Sequence, residues 1–414
     1  MILFQGELLM FRNTLSIALA FVGLIVGAGT ASGQEGLQFF VAFGHWGLWG
    51  VVLAAVLMSI AGTSVFVLGS YYRAQEHKRV IDSSATKLLA IFLDIGILVT
   101  LFSLGFVMFA GAGSNLKQQY GLPTWVGATI LLVLVLVSGM LDVSKVSAII
   151  GAITPFIIVC ITVVGLVTLI GIHPDFSHLD ASSTAINTNL PNWWISALNY
   201  VGFNLICGVS MAIVIGGSYF YPRQAGIGGG LGGLIFGFLL IVIAFSLYVK
   251  VDYVKDADLP MLALAANFNG PFGWVMSIVI YGMIFNTALG VFYALARRLT
   301  ANHEERFRPT LVATALVAFV ISFFGFKTLV SNVYPILGYV GVVLMIVLVY
   351  SWRKSRIQIQ EEGDRRRKLH ELAERKLDPT KRFTSKQKRQ LRHLIGESNI
   401  DDDVLRDILD RNDV

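Results

Sequence analysis

Long apolar runs, each near 20 residues and separated by short polar stretches, follow one another up to Tyr350 and then cease. A helix needs about 20 apolar residues to cross the hydrocarbon of a bilayer. Unbroken runs of that length show neither the period-2 alternation of a half-buried strand nor the single stripe of a soluble amphipathic helix. Ten spans are predicted, at residues 14–43, 47–72, 86–112, 124–140, 147–171, 194–220, 226–249, 272–298, 308–324 and 329–351. The first carries an interruption. Val22 to Glu35 reads VGLIVGAGTASGQE, so glycines, small residues, an amide and a carboxylate crowd a stretch where a bilayer penalises exposed backbone.

Composition and charge refine this picture. With 55% hydrophobic and 14% charged residues the chain reads as an all-α polytopic membrane protein. Placing the N-terminus inside puts Arg12, Arg73, Lys78, Arg79, Lys87, Lys145, Arg223, Arg297, Arg298, Arg306 and Arg308 on the cytoplasmic side. Only Lys117, Lys250, Lys255 and Lys327 then lie outside. Eleven against four supports an even number of spans with both termini in the cytoplasm. The other seventeen basic residues follow Tyr350, with thirteen acidic ones, in a polar segment predicted to form two or three short helices. A solvated helical tail is one reading, and contact with anionic lipid or a cytoplasmic partner is another. No recognition motif supports nucleic acid. Cys160 and Cys207 lie in apolar runs and read as small core residues, with neither a disulfide framework nor a zinc site. Residues 1–10 include Leu-Phe-Gln-Gly, which resembles a protease-site remnant or an upstream start, and nothing resembles a cleavable signal.

The interrupted stretch recurs. Phe21-Val22-Gly23 followed by Gly29 matches Tyr200-Val201-Gly202 followed by Gly208 at an offset of 179, and the same offset carries Gly47 and Gly50 onto Gly226 and Gly229. Five spans separate the copies, an odd number, so the second unit is inverted relative to the first. Small residues also let membrane helices pack closely, but offset, parity and the recurring short fourth and ninth spans agree on a repeat. The resulting division is 1–10 as an N-terminal extension, 11–172 as a first five-helix unit, and 173–193 as an external loop. Residues 194–351 then form the inverted second unit, and 352–414 a charged cytoplasmic tail.

An inverted five-plus-five repeat with interrupted first and sixth helices is an arrangement of secondary transporters that bind substrate near the bilayer midplane. Non-helical backbone is tolerated there only against protein or a water-filled cavity, where its free N–H and C=O groups become ligands. The N-terminus of a half-helix suits an anion such as a carboxylate, and the C-terminus of the preceding one suits a cation. On GLIVGAGTASGQE and the nine spans after it, the chain resembles the YkvI-type bacterial membrane proteins of the amino acid, polyamine and organocation transporter superfamily. The resemblance covers residues 11 to 351 and implies a LeuT-like fold in a bacterial cytoplasmic membrane.

The first candidates for substrate and ion contact are the backbone of Val26, Gly27, Ala28, Gly29, Thr30, Ala31 and Ser32. GAGTASG also fits a dinucleotide-binding loop, but such a loop follows a β-strand, and this one follows a membrane span. The facing wall is expected from Phe203 to Ser210, with Phe203, Asn204, Gly208 and Ser210 as contacts. A continuous helix with Gly208 as a packing notch is the alternative. In the resembled superfamily a coupling sodium binds carbonyls of the first helix and hydroxyls of the eighth. The matching positions here are Asn286 and Thr287, which depart from a paired-hydroxyl pattern. No lysine lies between Ser147 and Gly171 to replace the ion, as happens in some proton-coupled relatives.

Past Lys87 at its start, Asp94 is the only charged side chain within the third span. Such a carboxylate is functional by default, as a proton carrier or a counter-charge, or else it sits near the cytoplasmic end and pairs with a loop base. Glu35 and Gln34 either line the outer vestibule or cap the second half-helix. Tyr200, Phe203, Tyr281 and Phe285 offer an aromatic wall or gate, or ordinary packing. His173 to Asp180 has metal-ligand residue types without zinc spacing, and Trp193 and Trp194 read as interfacial belt residues. No nucleophile, base and orienting group occur together, so an enzyme is unsupported. The reading is a transporter of a small zwitterionic or organic-cation solute, coupled to Na+ or H+ and needing no organic cofactor or resident metal. A transporter-fold receptor signalling through the tail, and a passive channel, are the rivals.

Overall fold

The computed structural model describes residues 2–75, 77–140, 156, 158–170, 174–268, 270–300, 303–377 and 383–400, and among them every regular element is a helix. Seven helices are long and apolar enough to cross a membrane: α4 (His45–Tyr72), α6 (Lys87–Tyr120), α10 (Trp193–Ser218), α11 (Pro222–Val249), α14 (Gly270–Leu299), α15 (Phe307–Ile321, with a 3-10 turn to Phe324) and α16 (Phe326–Lys354). Shorter apolar helices stand at three further predicted runs: the Phe11–Ile25 part of α1 (Ile2–Ile25), α7 (Thr124–Gly139) and α8 (Ile158–Thr168). Lys145 and His173 lie outside the described residues.

The first run breaks twice. After α1 come Val26 and an extended Gly27, then a single turn α2 (Ala28–Ser32), then Gly33 in the left-handed region at φ 81°, then α3 (Gln34–Phe39). Only glycine adopts that φ readily, and a Cβ on Gly33 would lie 2.7 Å from the Met261 side chain. A 3-10 turn over Val41–Phe43 and a second left-handed glycine, Gly44, lead into α4. Beyond the first break the chain is therefore a kinked pair of short helices and not one straight half-helix.

The expected counterpart break in the sixth run is absent. α10 is one helix of 26 residues through Phe203, Asn204, Gly208 and Ser210, and neither Gly202 nor Gly208 has a positive φ. Gly202 serves close approach instead, and at Gly208 a Cβ would fit. A Cβ on Gly202 would strike the backbone of Gly338, Gly341 and Val342, whereas one on Gly208 would meet Leu24 at 3.8 Å. The Asn204 amide donates to the Tyr200 carbonyl at 3.0 Å and stays within the helix.

Glycine stripes also set the pairing of α4 with α11, which run antiparallel. Gly62 faces Gly229, Gly233 faces Ser59 and Gly237 faces Ala55, each too close for a Cβ. Small residues at such seams let backbones approach and gain dispersion contacts in a solvent as apolar as the side chains. α6 and α14 are held by a reciprocal pair, with the Ser277 hydroxyl donating to Asn115 at 2.7 Å and the Asn115 amide donating to the Ser277 carbonyl at 3.3 Å. On the outer face of α6, Leu88, Ile91, Phe92, Ile95 and Val99 form an exposed apolar ridge that suits lipid.

The polar tail folds back on the bundle. α17 (Arg356–Leu377) and α18 (Ser385–Glu397) bury Leu369, Ala373, Leu391 and Ile395 with Ile400 against Phe220, in the α10–α11 junction. Thr384 and Gln387 start α18 with a reciprocal capping box. Arg366 is fully buried and its neighbours Arg367 and Lys368 are exposed, so one base of that run is structural and the run is not uniformly solvated.

Candidate functional site

Two helix ends meet at the first break. Val26 N–H still reaches the Val22 carbonyl at 2.8 Å, but the extended Gly27 ends the α1 ladder there. The last carbonyls of α1 and the first N–H groups of α2 are left facing the gap, the former electronegative and the latter electropositive. Gly27 has no side-chain cap, and its carbonyl accepts from Ala31 at 3.0 Å.

The kink at Gly33 folds α3 so that Glu35 returns over α2. Its Oε2 accepts the Thr30 hydroxyl at 2.9 Å and the Tyr200 hydroxyl at 3.2 Å, and the two hydroxyls lie 3.3 Å apart. Gly29 completes the cradle, since a Cβ there would overlap the Glu35 carboxylate. Glu35 is 3% exposed. It stands in the first turn of α3, buried from solvent, with its carboxylate turned onto α2. Ser32 braces the kink by donating to the Gly29 carbonyl at 2.8 Å and accepting Gln34 N–H at 3.2 Å.

α10 supplies the opposite wall. The Tyr200 ring packs among Phe39, Phe40 and Phe236 at centroid distances of 5.2, 5.0 and 6.3 Å. Phe203 stacks on Tyr334 at 4.1 Å. Asn199 donates to the Pro335 carbonyl at 2.8 Å, and Asn189 to the Ser331 carbonyl that the Pro335 ring leaves without a helical donor. Gln34 is fully buried, and neither end of its amide has a hydrogen-bond partner among the described residues. Gln38 donates to the Lys327 carbonyl at 3.3 Å. The space left beside Thr30 is a cavity of about 10 Å³ lined by Val26, Thr30, Ile158, Ile161, Leu239 and Ile243. Thr30, Glu35 and Tyr200 are all buried, so the site is closed in this conformation.

The structure thus brings Gly29, Thr30, Glu35 and Tyr200 into one cluster, with Gly27, Ala28, Ala31 and Ser32 as its backbone. α14, which carries a buried Asn286 and a half-buried Thr287, packs on α2. Ser210 is half-buried a turn and a half beyond Asn204. Two expected aromatic partners stand apart. Tyr281 donates to the Gly127 carbonyl on α7 at 2.8 Å, and among the described residues no ring pairs with Phe285. Asp94 also lies outside the cluster. It forms an ion pair with Arg298 at the end of α14, with His77 of α5 (His77–Ser84) 3.5 Å away, and its side chain is 40% exposed. The base it meets comes from the eighth run and not from Lys87. Sequence reasoning missed Tyr334, Phe39, Phe40 and Phe236, which are apolar or aromatic residues in apolar runs with nothing local to single them out.

A kinked, broken first helix cradled by α10, α11 and α16 defines the class: a membrane protein with the LeuT-type transporter fold. Inward-facing Mhp1 shares the fold at a TM-score of 0.51, with 13% identity over 83% of this chain and 77% of that one. MhsT in complex with L-phenylalanine does so at 0.51, with 13% identity over 84% and 98%. A mutant of the Eremococcus coleocola manganese transporter matches at 0.50, with 15% identity over 84% and 78%. More particularly, the chain is homologous to two Bacillus subtilis (strain 168) proteins. The membrane protein YkvI is 23% identical over 340 residues, 80% of this chain and 94% of that protein. YyaD is 26% identical over 342 residues, 82% and 97%. No family model matches the chain.

Proposed function

We propose that the protein is a cation-coupled secondary active transporter of a small zwitterionic or organic-cation solute, amino acid-like in size, that works by alternating access around the break at Val26–Gly27. One observation carries the reading: a buried carboxylate, Glu35, held at facing helix ends by hydroxyls from two different helices. Free carbonyls, free N–H groups and one acid in a closed pocket suit a solute bearing both charges. Antiparallel packing of α4 on α11 is what a pair of inverted repeats produces, and it supports the ten-span, five-plus-five arrangement in which α1, α7 and α8 also cross the membrane. The basic residues place both termini and the tail in the cytoplasm of a bacterial cell. Substrate is expected to touch Gly27 to Ser32 with Phe203, Asn204, Gly208 and Ser210. Val26, Asn286 and Thr287 are expected on the ion side, with Gln34, Tyr200 and Phe285 toward the gate.

The test is a thermal-shift screen of the purified protein against the twenty protein amino acids, in sodium or potassium at two pH values, since a ligand of the folded state stabilises it. Gly29→Val, whose branches would displace Glu35, is expected to abolish the ligand-dependent shift while leaving the unliganded transition in place. Retained binding in that variant counts against the site.

A second reading, a receptor of the same fold, is favoured by the docked tail, because Arg366 reads the ends of α4 and α10 directly. Deleting residues after Arg356 separates the two readings. A transporter retains uptake, and a receptor loses its output.

A further inference from the structure

We infer that Glu35 is the coupling site and that the cation it takes up and releases is a proton. This rests on the transporter reading above and names the cation that reading leaves open.

Apart from Glu362 in the tail, Glu35 is the only buried carboxylate among the described residues. Among the described residues no basic side chain faces it from an element packed on α3. From α10 come Tyr200 and Cys207, and from α16 Tyr334 together with Lys327, whose ammonium donates to the Lys255 carbonyl at 2.9 Å. α11 offers Tyr248, whose hydroxyl is engaged by Asp180 at 2.7 Å. α13 (Pro260–Phe268), α2 and the Val41–Phe43 turn carry no titratable side chain. The one buried arginine, Arg366, is in the tail. An ionised carboxylate left without a counter-charge in such a place costs several kcal/mol, so a cation must accompany the closed state.

The geometry selects which cation. A metal ion needs several oxygens turned on one point. Here, among the described residues, the side-chain oxygens bonded to Glu35 Oε2 are the Thr30 and Tyr200 hydroxyls alone, at the hydrogen-bond distances of 2.9 and 3.2 Å, and Ser32 spends its hydrogen on the Gly29 carbonyl. A proton neutralises Glu35 without adding volume. One O–H bond forms on the carboxylate as one breaks in hydronium on the open side, and the reverse exchange returns the proton to water on the other side. Neutral, Glu35 permits α3 to close on α10 through Tyr200. Ionised, it draws water into the break and holds the site open.

The experiment uses the full-length protein in lipid vesicles and has two arms. Infrared difference spectra between acid and alkaline buffer read the carbonyl band of a protonated carboxyl. The band is expected in the native protein, displaced in Glu35→Asp and lost in Glu35→Gln, with thermal unfolding as the check that both variants fold. In the second arm, a pH gradient or a sodium gradient drives accumulation of a radiolabelled amino acid chosen by the thermal-shift screen. Glu35→Gln is expected to lose pH-driven accumulation. No band assignable to Glu35, pH-driven accumulation unchanged in Glu35→Gln, or accumulation driven by sodium alone each overturns the proposal. A band that titrates in a protein that moves no solute overturns the transporter reading and the coupling role with it, while sparing Glu35 as a proton site.

Discussion

Replacing Arg366 by methionine keeps the length and apolar stem of the side chain and removes all its donors. A guanidinium has five N–H groups, and the five hydrogen bonds formed here match them: Nη1 to the carbonyls of Ser70 and Phe220 at 3.0 and 2.9 Å, Nη2 to the Tyr71 carbonyl and Asn399 Oδ1 at 2.9 and 2.8 Å, and Nε to Glu362 at 3.0 Å. Ser70 and Tyr71 are in the last turn of α4, where the Ser70 carbonyl also accepts the Arg73 N–H at 3.1 Å, and Phe220 lies in the junction between α10 and α11. Burial pushes the guanidinium below its ordinary value while Glu362 pulls it back up, and it remains charged. Glu362 keeps Arg365 and the Ser398 hydroxyl as partners, the Ser70 carbonyl keeps the Arg73 N–H and the Tyr71 carbonyl keeps the Asn399 amide, so the loss falls on the Phe220 carbonyl, the Asn399 oxygen and the charge that ties them together. Removing one partner of a buried ionic cluster costs about 3–5 kcal/mol. At 1.4 kcal/mol per decade, that raises the undocked population of the tail by roughly a hundredfold to a few thousandfold. Hydrogen exchange read by mass spectrometry checks it. Protection of α17 and α18 should fall by that factor in Arg366→Met and partly in Arg366→Lys, whose point charge cannot span the three carbonyls. The bundle helices should be unaffected, because the opening is local. Unchanged protection of α18 in Arg366→Met would refute the clamp.

Two further outcomes follow from backbone strain and from a clasp at the opposite end of the bundle. Gly33→Ala forces a left-handed conformation on a residue with a Cβ and presses it on Met261, so it should lower the unfolding transition by about 1–3 kcal/mol and move Glu35; a detergent melt with unchanged midpoint would show that the kink is not required. Asp180, in α9 (Phe176–Ser183), accepts the Tyr248 hydroxyl at 2.7 Å and both the backbone N–H and ring nitrogen of His45, at 2.7 and 2.5 Å. Burial there opposes ionisation, but the hydrogen bonds from Tyr248 and His45 and the attraction of His45 outweigh it and hold the carboxyl below its ordinary value. A depressed carboxyl contributes stability that is complete above its unfolded value and is lost as pH falls through the folded one. The difference in melting temperature between the native protein and Asp180→Asn should close as pH falls below about pH 4; a difference that grows with acidity would contradict the clasp.

Some of this site was legible before any coordinates. Gly27, Gly29 and Gly33 in an apolar run signal a helix that cannot continue, because freed backbone groups at membrane depth need a purpose and glycine needs a reason to be there. The carboxylate next to them was visible as well, but its direction was not. Glu35 reads as a cap or a vestibule residue until the left-handed Gly33 turns α3 and brings it back over Gly29. The sixth run shows the limit of a repeat. Gly202 and Gly208 occupy positions equivalent to Gly23 and Gly29, yet α10 is unbroken. Gly202 serves a close contact with α16, and Gly208 faces α1 with room for a methyl group.

What the sequence by itself determined is set by hydropathy and by glycine's lack of a side chain: an all-helical membrane protein, a first helix interrupted after Val26, and a charged tail beyond the last apolar run. Those are local properties, each written in a stretch of some 20 residues. Only the tertiary structure decided that Asp94 is tied to Arg298, that Arg366 alone of its basic run is buried, and that Glu35 joins Thr30 and Tyr200. These pairings bridge 204, 296 and 165 positions of chain. A charge or hydroxyl has no preference for one distant partner over another until packing brings the two within hydrogen-bond reach and excludes water from both.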